Sequence, residues 1–229
     1  MRGPNETNWD AIAKAACEAF RGGVNEWIGR AQIQGGRVIG PNAELTPGSL
    51  ISAVNFEPLM IEAMTKANVP SDIARAFAGE LWGAWKEWAE GFRMLLPGMY
   101  PQLAAFPGPM APPIPGRGTF PLSQGSSTGE QRLHPGMLSM KLTAALRLHV
   151  KAGSGAKEAI EQVVKWIDSS FQEWKLMAQV NGSAARGRGP VPNFAPPYVP
   201  VGPVIMGDNL PVPGHLPVFL GPRFGKILL

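Results

Sequence analysis

The side chains that could perform metal or acid–base chemistry are few and far apart in this sequence. The chain has three histidines, His134, His149 and His215, and a single cysteine, Cys17. None of the histidines has a Cys or His partner at the short spacing of a metal site, and no carboxylate pair stands out. A single histidine at a helix start or on a helix face is more often structural than catalytic. We therefore predict no catalytic residue, no metal and no cofactor.

Two Gly- and Ser-containing segments resemble functional loops only superficially. GSGAKE at 153–158 lacks the G-x-x-x-x-G-K-[ST] pattern of a phosphate-binding loop, and it follows a predicted helix instead of a strand. SQGSSTG at 123–129 lacks the G-x-S-x-G pattern of a nucleophile elbow. We interpret the first as a hairpin turn and the second as a flexible connector. The sequence therefore does not predict an enzyme.

The basic side chains that could contact phosphates are Arg186 and Arg188 in the segment AARGRGP, where glycines flank them. Nucleic-acid binding normally needs several phosphate contacts, and no recognition motif accompanies these two arginines. They could equally pair with acidic groups or carbonyls of a neighbouring subunit. The net charge of +4 permits an acidic partner without arguing for one. Nucleic acid is therefore the less favoured partner.

A Glu-Trp pair occurs three times, each time near the end of a predicted helix. NEWIGRAQIQGG at 25–36 and QEWKLMAQVNGS at 172–183 align without a gap, and KEWAEGFRMLLPG holds the third pair. An indole in this position can fill a core and keep its N–H at the rim. We interpret Trp27, Trp88 and Trp174 as packing residues at the ends of three helical modules, in preference to a stacking platform for bases or sugars.

Apolar residues at i, i+3, i+4 and i+7 spacing predict the helices that carry these pairs. Residues 7–34 read as one helix, with Thr7 as its cap. Residues 46–68 predict two short helices, with Thr46 as cap and Pro58 dividing them. The next predicted helix is capped by Ser71 and runs to Pro97. Two more helices are predicted before and after the turn at 153–155.

The sequence LTPGSL at 45–50 matches LHPGML at 133–138. We take this match and the Glu-Trp pairs as signs of an internal repeat. The predicted units are an N-terminal helix and linker at 1–44, a helical hairpin with a proline-rich arm at 45–128, and a second hairpin with a C-terminal arm at 129–229. The predicted fold is mainly α, with repeated helical hairpins, long Pro/Gly-rich extended arms and little regular β.

The two arms are rich in proline and poor in charge. Residues 97–121 contain eight prolines and residues 190–222 contain ten. Such density argues against helix and central strand, and leaves polyproline II, turns and edge pairing. Ordering each residue costs about 1–2 kcal/mol of backbone entropy, so the arms need apolar burial that the small helical modules are not expected to supply. The predicted partner-binding residues are the apolar side chains Phe106, Ile114, Phe120, Phe194, Tyr198, Val201 and Ile205.

In general character, the chain resembles the structural proteins of bacteriophage and viral virions, in which small helical modules with extended Pro/Gly arms link neighbouring subunits. This resemblance rests on no specific motif and carries over no functional residue. It implies a minor capsid or cement-type protein, assembled in the host cytoplasm. Its arms would clamp subunits of a major shell or tail protein and copies of itself.

Two other functions stay open at the level of sequence. The first is a nucleic-acid-associated packaging or ejection protein that uses the arginine-bearing loops. The second is a cellular scaffold or adaptor, for which PMAPPIPGR at 109–117 is the one proline-rich ligand motif with a basic residue beside it. No uninterrupted apolar run approaches the ~20 residues of a membrane span, and no secretory signal is expected at the N-terminus.

Overall fold

The computed structural model describes residues 7–33, 37–39, 42–97, 119–151, 154–181, 193–195, 199–203, 216–217 and 224. Helices hold most of these residues, which confirms the prediction of a mainly α chain with little sheet. The α-helices in the described ranges are α1 (Trp9–Gly29), α2 (Glu57–Lys66), α3 (Ser71–Glu90), α4 (Pro135–Ala145) and α5 (Ala156–Met177).

The strands are short and pair only in antiparallel fashion within the described ranges. They are β1 (Ala31–Ile33), β2 (Arg37–Ile39), β3 (Asn42–Leu45), β4 (Leu50–Ser52), β5 (Phe92–Leu96), β6 (Thr119–Pro121), β7 (Ser126–Ser127), β8 (Gln179–Asn181), β9 (Asn193–Ala195), β10 (Val199–Pro203) and β11 (Leu216–Pro217). The strand orders are β11-β1-β4, β7-β5-β3-β2-β10-β9 and β6-β8. Two 3-10 helices, Leu122–Gln124 and Thr128–Arg132, lie between β6 and α4.

Helix α1 is shorter than the predicted helix at both ends. Its N-cap is Asn8 and not Thr7, because the Asn8 side chain accepts a hydrogen bond from the Ala11 N–H at 3.2 Å. The helix ends at Gly29, a residue with low helix propensity. The chain then forms β1, which pairs with β4. Backbone pairing with a strand distant in sequence therefore ends the helix earlier than its apolar pattern indicates.

The segment before Pro58 is a strand and a turn where a helix was predicted. Gly48 has a φ of +83°, which glycine adopts readily, and it lies in the turn between β3 and β4. Its N–H donates to the Glu90 carbonyl at 2.7 Å. Pro58 lies in the first turn of α2, where its missing N–H costs no helical hydrogen bond. Pro58 therefore begins a helix instead of dividing one.

The structure does not show the predicted repeat of helical hairpins. The segment LTPGSL forms a turn between two strands, whereas LHPGML leads into the first turn of α4. Helix α3 ends at Glu90, before the predicted stop, and β5 follows with alternating buried and exposed residues. The cap of α3 also differs from the prediction, since its N-cap is Pro70 and Ser71 is the first helical residue.

The helices pack around one hydrophobic core. Helix α1 contacts α2 and α5, and α4 contacts α3 and α5. The three Glu-Trp tryptophans lie near the C-terminal ends of α1, α3 and α5, and each of these helices leads into a short strand. Their side chains are buried, and Trp85 lies among them with ring centroids 4.9 Å from Trp88 and 5.4 Å from both Trp27 and Trp174. The packing interpretation of these residues fits this arrangement.

The position of the indole N–H groups differs from the expectation that they lie at the rim of the core. The Nε1 atoms of Trp85, Trp88 and Trp174 are buried, and none has a hydrogen-bond partner in the described part of the chain. The reason is that three helix ends and Phe224 converge on the same place, which encloses the rings on all sides. The indole rings therefore contribute to the core by apolar packing and not by hydrogen bonds.

Candidate interaction surface

Of the predicted partner-binding residues, only Phe120, Phe194 and Val201 lie in the described ranges. The residues that fall outside those ranges are Phe106, Ile114, Tyr198, Ile205, Arg186 and Arg188. Their roles stay predictions.

Phe120 lies on the chain's own core. It is in β6, where it pairs with Val180 of β8, and its side chain is half-buried against the core. The adjacent Leu122 is fully buried, and its N–H donates to the Ala178 carbonyl at 2.8 Å. This end of the first arm therefore finds apolar surface within the chain, although the sequence predicted that neighbouring subunits would supply it.

Phe194 and Val201 lie in β9 and β10, whose backbones join the larger sheet. Val201 pairs with Asn193 on one side and with Ile39 on the other. β10 is thus a central strand, although its prolines were predicted to exclude one. Pro200 and Pro203 are three residues apart, so their missing N–H groups fall on opposite sides of β10. The strand therefore lacks one hydrogen-bond donor toward each of its two neighbours.

The C-terminal segment is also attached to the core. Phe224 is fully buried, with its ring 5.7 Å from that of Phe20 and 5.8 Å from that of Trp85. Its N–H donates to Asn25 Oδ1 at 2.9 Å. Residues from all three predicted segments thus contribute to one core cluster.

Of the groups that could perform chemistry, His149 has a structural partner and Cys17 is buried, whereas His134 is exposed and His215 lies outside the described ranges. His149 Nε2 lies 2.8 Å from Asp72 Oδ2 and its ring packs edge-on to Trp9, so it joins the turn after α4 to the start of α3. Burial, with the nearby Glu18 carboxylate, raises the pKa of Cys17 to about 12. Within the described ranges, no three His, Cys, Asp or Glu side chains come together to hold a metal ion.

A surface that the sequence analysis did not single out lies on α4. This helix is apolar on two faces. Leu138, Leu142 and Leu146 point inward and are at most 1% exposed. On the opposite side, Met140 is 56% exposed, and Leu148, in the turn that follows α4, is 75% exposed.

We call Met137, Met140, Ala144 and Leu148 the α4 stripe. The first three follow one face of α4 at a spacing of three and four residues, and Leu148 lies in the turn just beyond the end of the helix. All four are exposed. A helix normally needs only one apolar face to pack on a core, whereas α4 has a second apolar face that is exposed. The signal was present in the sequence, since nine of the fourteen residues of MLSMKLTAALRLHV are apolar, which is more than one buried helix face needs.

Within its own segment of the chain the α4 stripe has only positive charges beside it, and the Asp72 carboxylate of α3 lies at its C-terminal end against His149. Residues 133–157 contain no Asp or Glu, and their charged side chains are Lys141, Arg147, Lys151 and Lys157. Arg147 and Lys151 are exposed and Lys141 is partly exposed. The stripe is therefore apolar in the middle with basic groups around it.

A second apolar surface lies between α1 and α2. It is an open groove of about 260 Å3, lined by Ala15, Glu18, Ala19, Gly22, Gly23, Leu59, Ala63 and Ala67. We call it the α1–α2 groove. Its only charged lining residue, Glu18, forms no ion pair with another described residue. A Cβ at Gly22 would meet no atom within 4 Å, so this side of the groove is open.

Comparison with known proteins gives no match: no family model, no curated protein and no solved structure matches the chain. Within the described ranges, none of the helices combines the length and the apolar character that crossing a membrane requires.

Proposed function

We propose that this protein is a structural component of a larger assembly, and that it binds neighbouring protein subunits through apolar surface. The observation that carries the proposal is the α4 stripe. Large apolar side chains that are exposed close together are typical of interaction sites, and α4 packs on the chain's own core through its opposite face.

The setting that we propose for this assembly is a virion, with the protein in a minor capsid or cement-type role. Its support is the general character of the chain, in which helical modules are combined with long proline-rich segments of low charge. In this proposal, the apolar residues of 98–118 and of the C-terminal segment add to the contacts that the α4 stripe makes.

Size-exclusion chromatography of extracts from the native source tests the proposal. The chain has a mass of 24.5 kDa. The wild-type protein should elute in a much larger particle, and the double variant Met140→Glu with Leu148→Glu should elute at a smaller size, because burying the two carboxylates in an interface is costly. Circular dichroism should show both proteins folded.

A matched control adds the same charge elsewhere. Gln162→Glu with Lys165→Gln also changes the net charge by −2 at exposed positions of α5, and it should elute like the wild type. Elution of the wild-type protein as a free monomer from the native extract would overturn the proposed function.

A further inference from the structure

We propose that the α4 stripe binds the α1–α2 groove of a second copy of this chain, so that copies associate head to tail. This inference rests on the proposed function, since it names one of the neighbours that the assembly contains. The evidence is the complementarity of two apolar surfaces that face outward on the same molecule.

The charges of the two surfaces are opposite. The α4 stripe has Lys141, Arg147 and Lys151 beside it, and the α1–α2 groove has Glu18 as its single charge. A stripe that docks in a groove brings these opposite charges together, which favours association. Two stripes that face each other would bring mainly positive charges together, with Asp72 as the negative charge at one end of each. The charges therefore favour stripe-to-groove contact over stripe-to-stripe contact.

The residue sizes of the two surfaces are also complementary. The groove is lined mainly by small residues, Ala15, Ala19 and Gly22 from α1 and Ala63 from α2. Small residues let another helix approach closely and leave room for long side chains. The side chains of Met137, Met140 and Leu148 are long and flexible, and methionine adapts well to irregular surfaces.

The two surfaces belong to different helices, which determines the kind of assembly. A contact between unlike surfaces is heterologous, so each copy has one free stripe and one free groove after it binds a neighbour. Such contacts produce a closed ring if the rotation between copies closes, and an open filament if it does not.

Sedimentation velocity of purified full-length chains tests this arrangement. The wild type should form species larger than a dimer as its concentration rises. The stripe variant is Met140→Glu with Leu148→Glu, and the groove variant is Gly22→Arg with Ala63→Arg, at two exposed positions of the groove. Each variant alone should sediment as a monomer, while the control Gln162→Glu with Lys165→Gln should associate like the wild type.

The decisive sample is an equimolar mixture of the two variants. The intact groove of the stripe variant can still receive the intact stripe of the groove variant, while the other two surfaces are blocked. The mixture should therefore form a dimer and nothing larger.

Reversal of the charges tests the same contact. Glu18→Lys should weaken wild-type association about tenfold, and Arg147→Glu in the same chain should restore most of the loss.

Three outcomes would overturn the inference. A mixture that stays monomeric while the wild type forms a dimer would indicate a symmetric contact between like surfaces. Binding of the wild type to vesicles of phosphatidylserine and phosphatidylcholine, lost in the stripe variant and without self-association, would assign the stripe to a membrane surface. A wild type that stays monomeric at every concentration, yet elutes in a large particle from the native extract, would leave the proposed function intact with a different partner.

Discussion

Cys17 illustrates how completely the residues of α1 are enclosed. Its side chain is fully buried, and burial, with the nearby Glu18 carboxylate, raises the pKa of the thiol from 9.0 to about 12. The folded protein therefore keeps Cys17 protonated at neutral pH. Since the thiolate is the form that reacts and binds metals, Cys17 is inert as long as the protein is folded.

This pKa difference makes stability depend on pH above 9. The unfolded state loses the thiol proton near pH 9.0, whereas the folded state holds it up to about pH 12. Stability is therefore lost as the pH rises through this window. Relative to Cys17→Ala, we expect the free energy of unfolding of the wild type to be about 1.4 kcal/mol smaller at pH 10 than at pH 8. Urea denaturation of the wild type and of Cys17→Ala at both pH values measures this change. If the difference in free energy of unfolding between the two proteins does not depend on pH, the burial of Cys17 is contradicted.

Gly129 is the residue through which a 3-10 helix touches the backbone of α3. A Cβ at this position would lie 2.7 Å from the Trp88 nitrogen and closer still to the Glu87 carbonyl. Backbone atoms in a helix cannot swing aside as a flexible side chain can. We therefore expect Gly129→Ala to lower the free energy of unfolding by about 3 kcal/mol.

The control for this change is Gly136→Ala, because the nearest atom to its Cβ would be His134 Nδ1 at 3.9 Å. It should leave stability within about 0.5 kcal/mol of the wild type. Equal stability of both variants in urea denaturation would show that residues 128–132 do not pack on α3 as described.

At the scale of the element, α4 separates folding from association on two sides of one helix. Leu142 is buried and Met140, two residues earlier, is 56% exposed. Leu142→Ala should lower the free energy of unfolding by about 3 kcal/mol, and Met140→Ala by less than about 0.5 kcal/mol. The same Met140→Ala change should weaken self-association. Similar stability losses for both variants would mean that the stripe is covered by the chain itself.

The long helices were predictable from sequence because each has a single apolar face over many turns. The ends of α1 and α3 were not, since strand pairing with distant segments decides them. FRMLL at 92–96 is apolar enough for either a helix or a strand, and only its pairing with β3 and β7 makes alternate residues face the core. Likewise, Thr-Pro-Gly at 46–48 is a signal for both a helix start and a turn.

The candidate site was predictable only in part. The α4 stripe could be read from a segment with more apolar residues than one buried helix face needs. The α1–α2 groove could not, because it exists only where α1 and α2 lie side by side. The repeat was predicted from the Glu-Trp pairs and from two short matching segments. The fold uses these two segments differently, which shows that Leu-x-Pro-Gly-x-Leu is a local signal with more than one structural outcome.

At the scale of the whole molecule, the C-terminal part of the chain returns to its beginning. β10 pairs with β2, β11 pairs with β1, and Phe224 packs on Phe20. The sequence predicted that this arm lies against other chains. The described residues instead attach this arm to the sheet and core of the same chain. That the arms bind neighbouring subunits stays a prediction for the remaining parts of both arms.

Phe224→Ala measures how strongly this attachment contributes to the fold. Removal of a fully buried phenylalanine should lower the free energy of unfolding by about 3–5 kcal/mol. Leu176→Ala serves as the control, since Leu176 is 68% exposed, and it should cost less than about 0.5 kcal/mol. If both changes cost little in urea denaturation, the C-terminal segment is free in solution and available to clamp another chain.

The tryptophan cluster at the ends of α1, α3 and α5 also has an optical consequence. Indole rings with centroids 4.9–5.6 Å apart are close enough for their electronic transitions to couple. The far-ultraviolet circular dichroism spectrum should therefore contain an exciton couplet in addition to the helical signal. Trp85 and Trp88 belong to α3 and Trp174 belongs to α5, so the coupling of Trp174 to the other two rings is lost when the helix ends separate, even if each helix stays intact. The couplet thus reports, without any label, whether the ends of these helices are packed together.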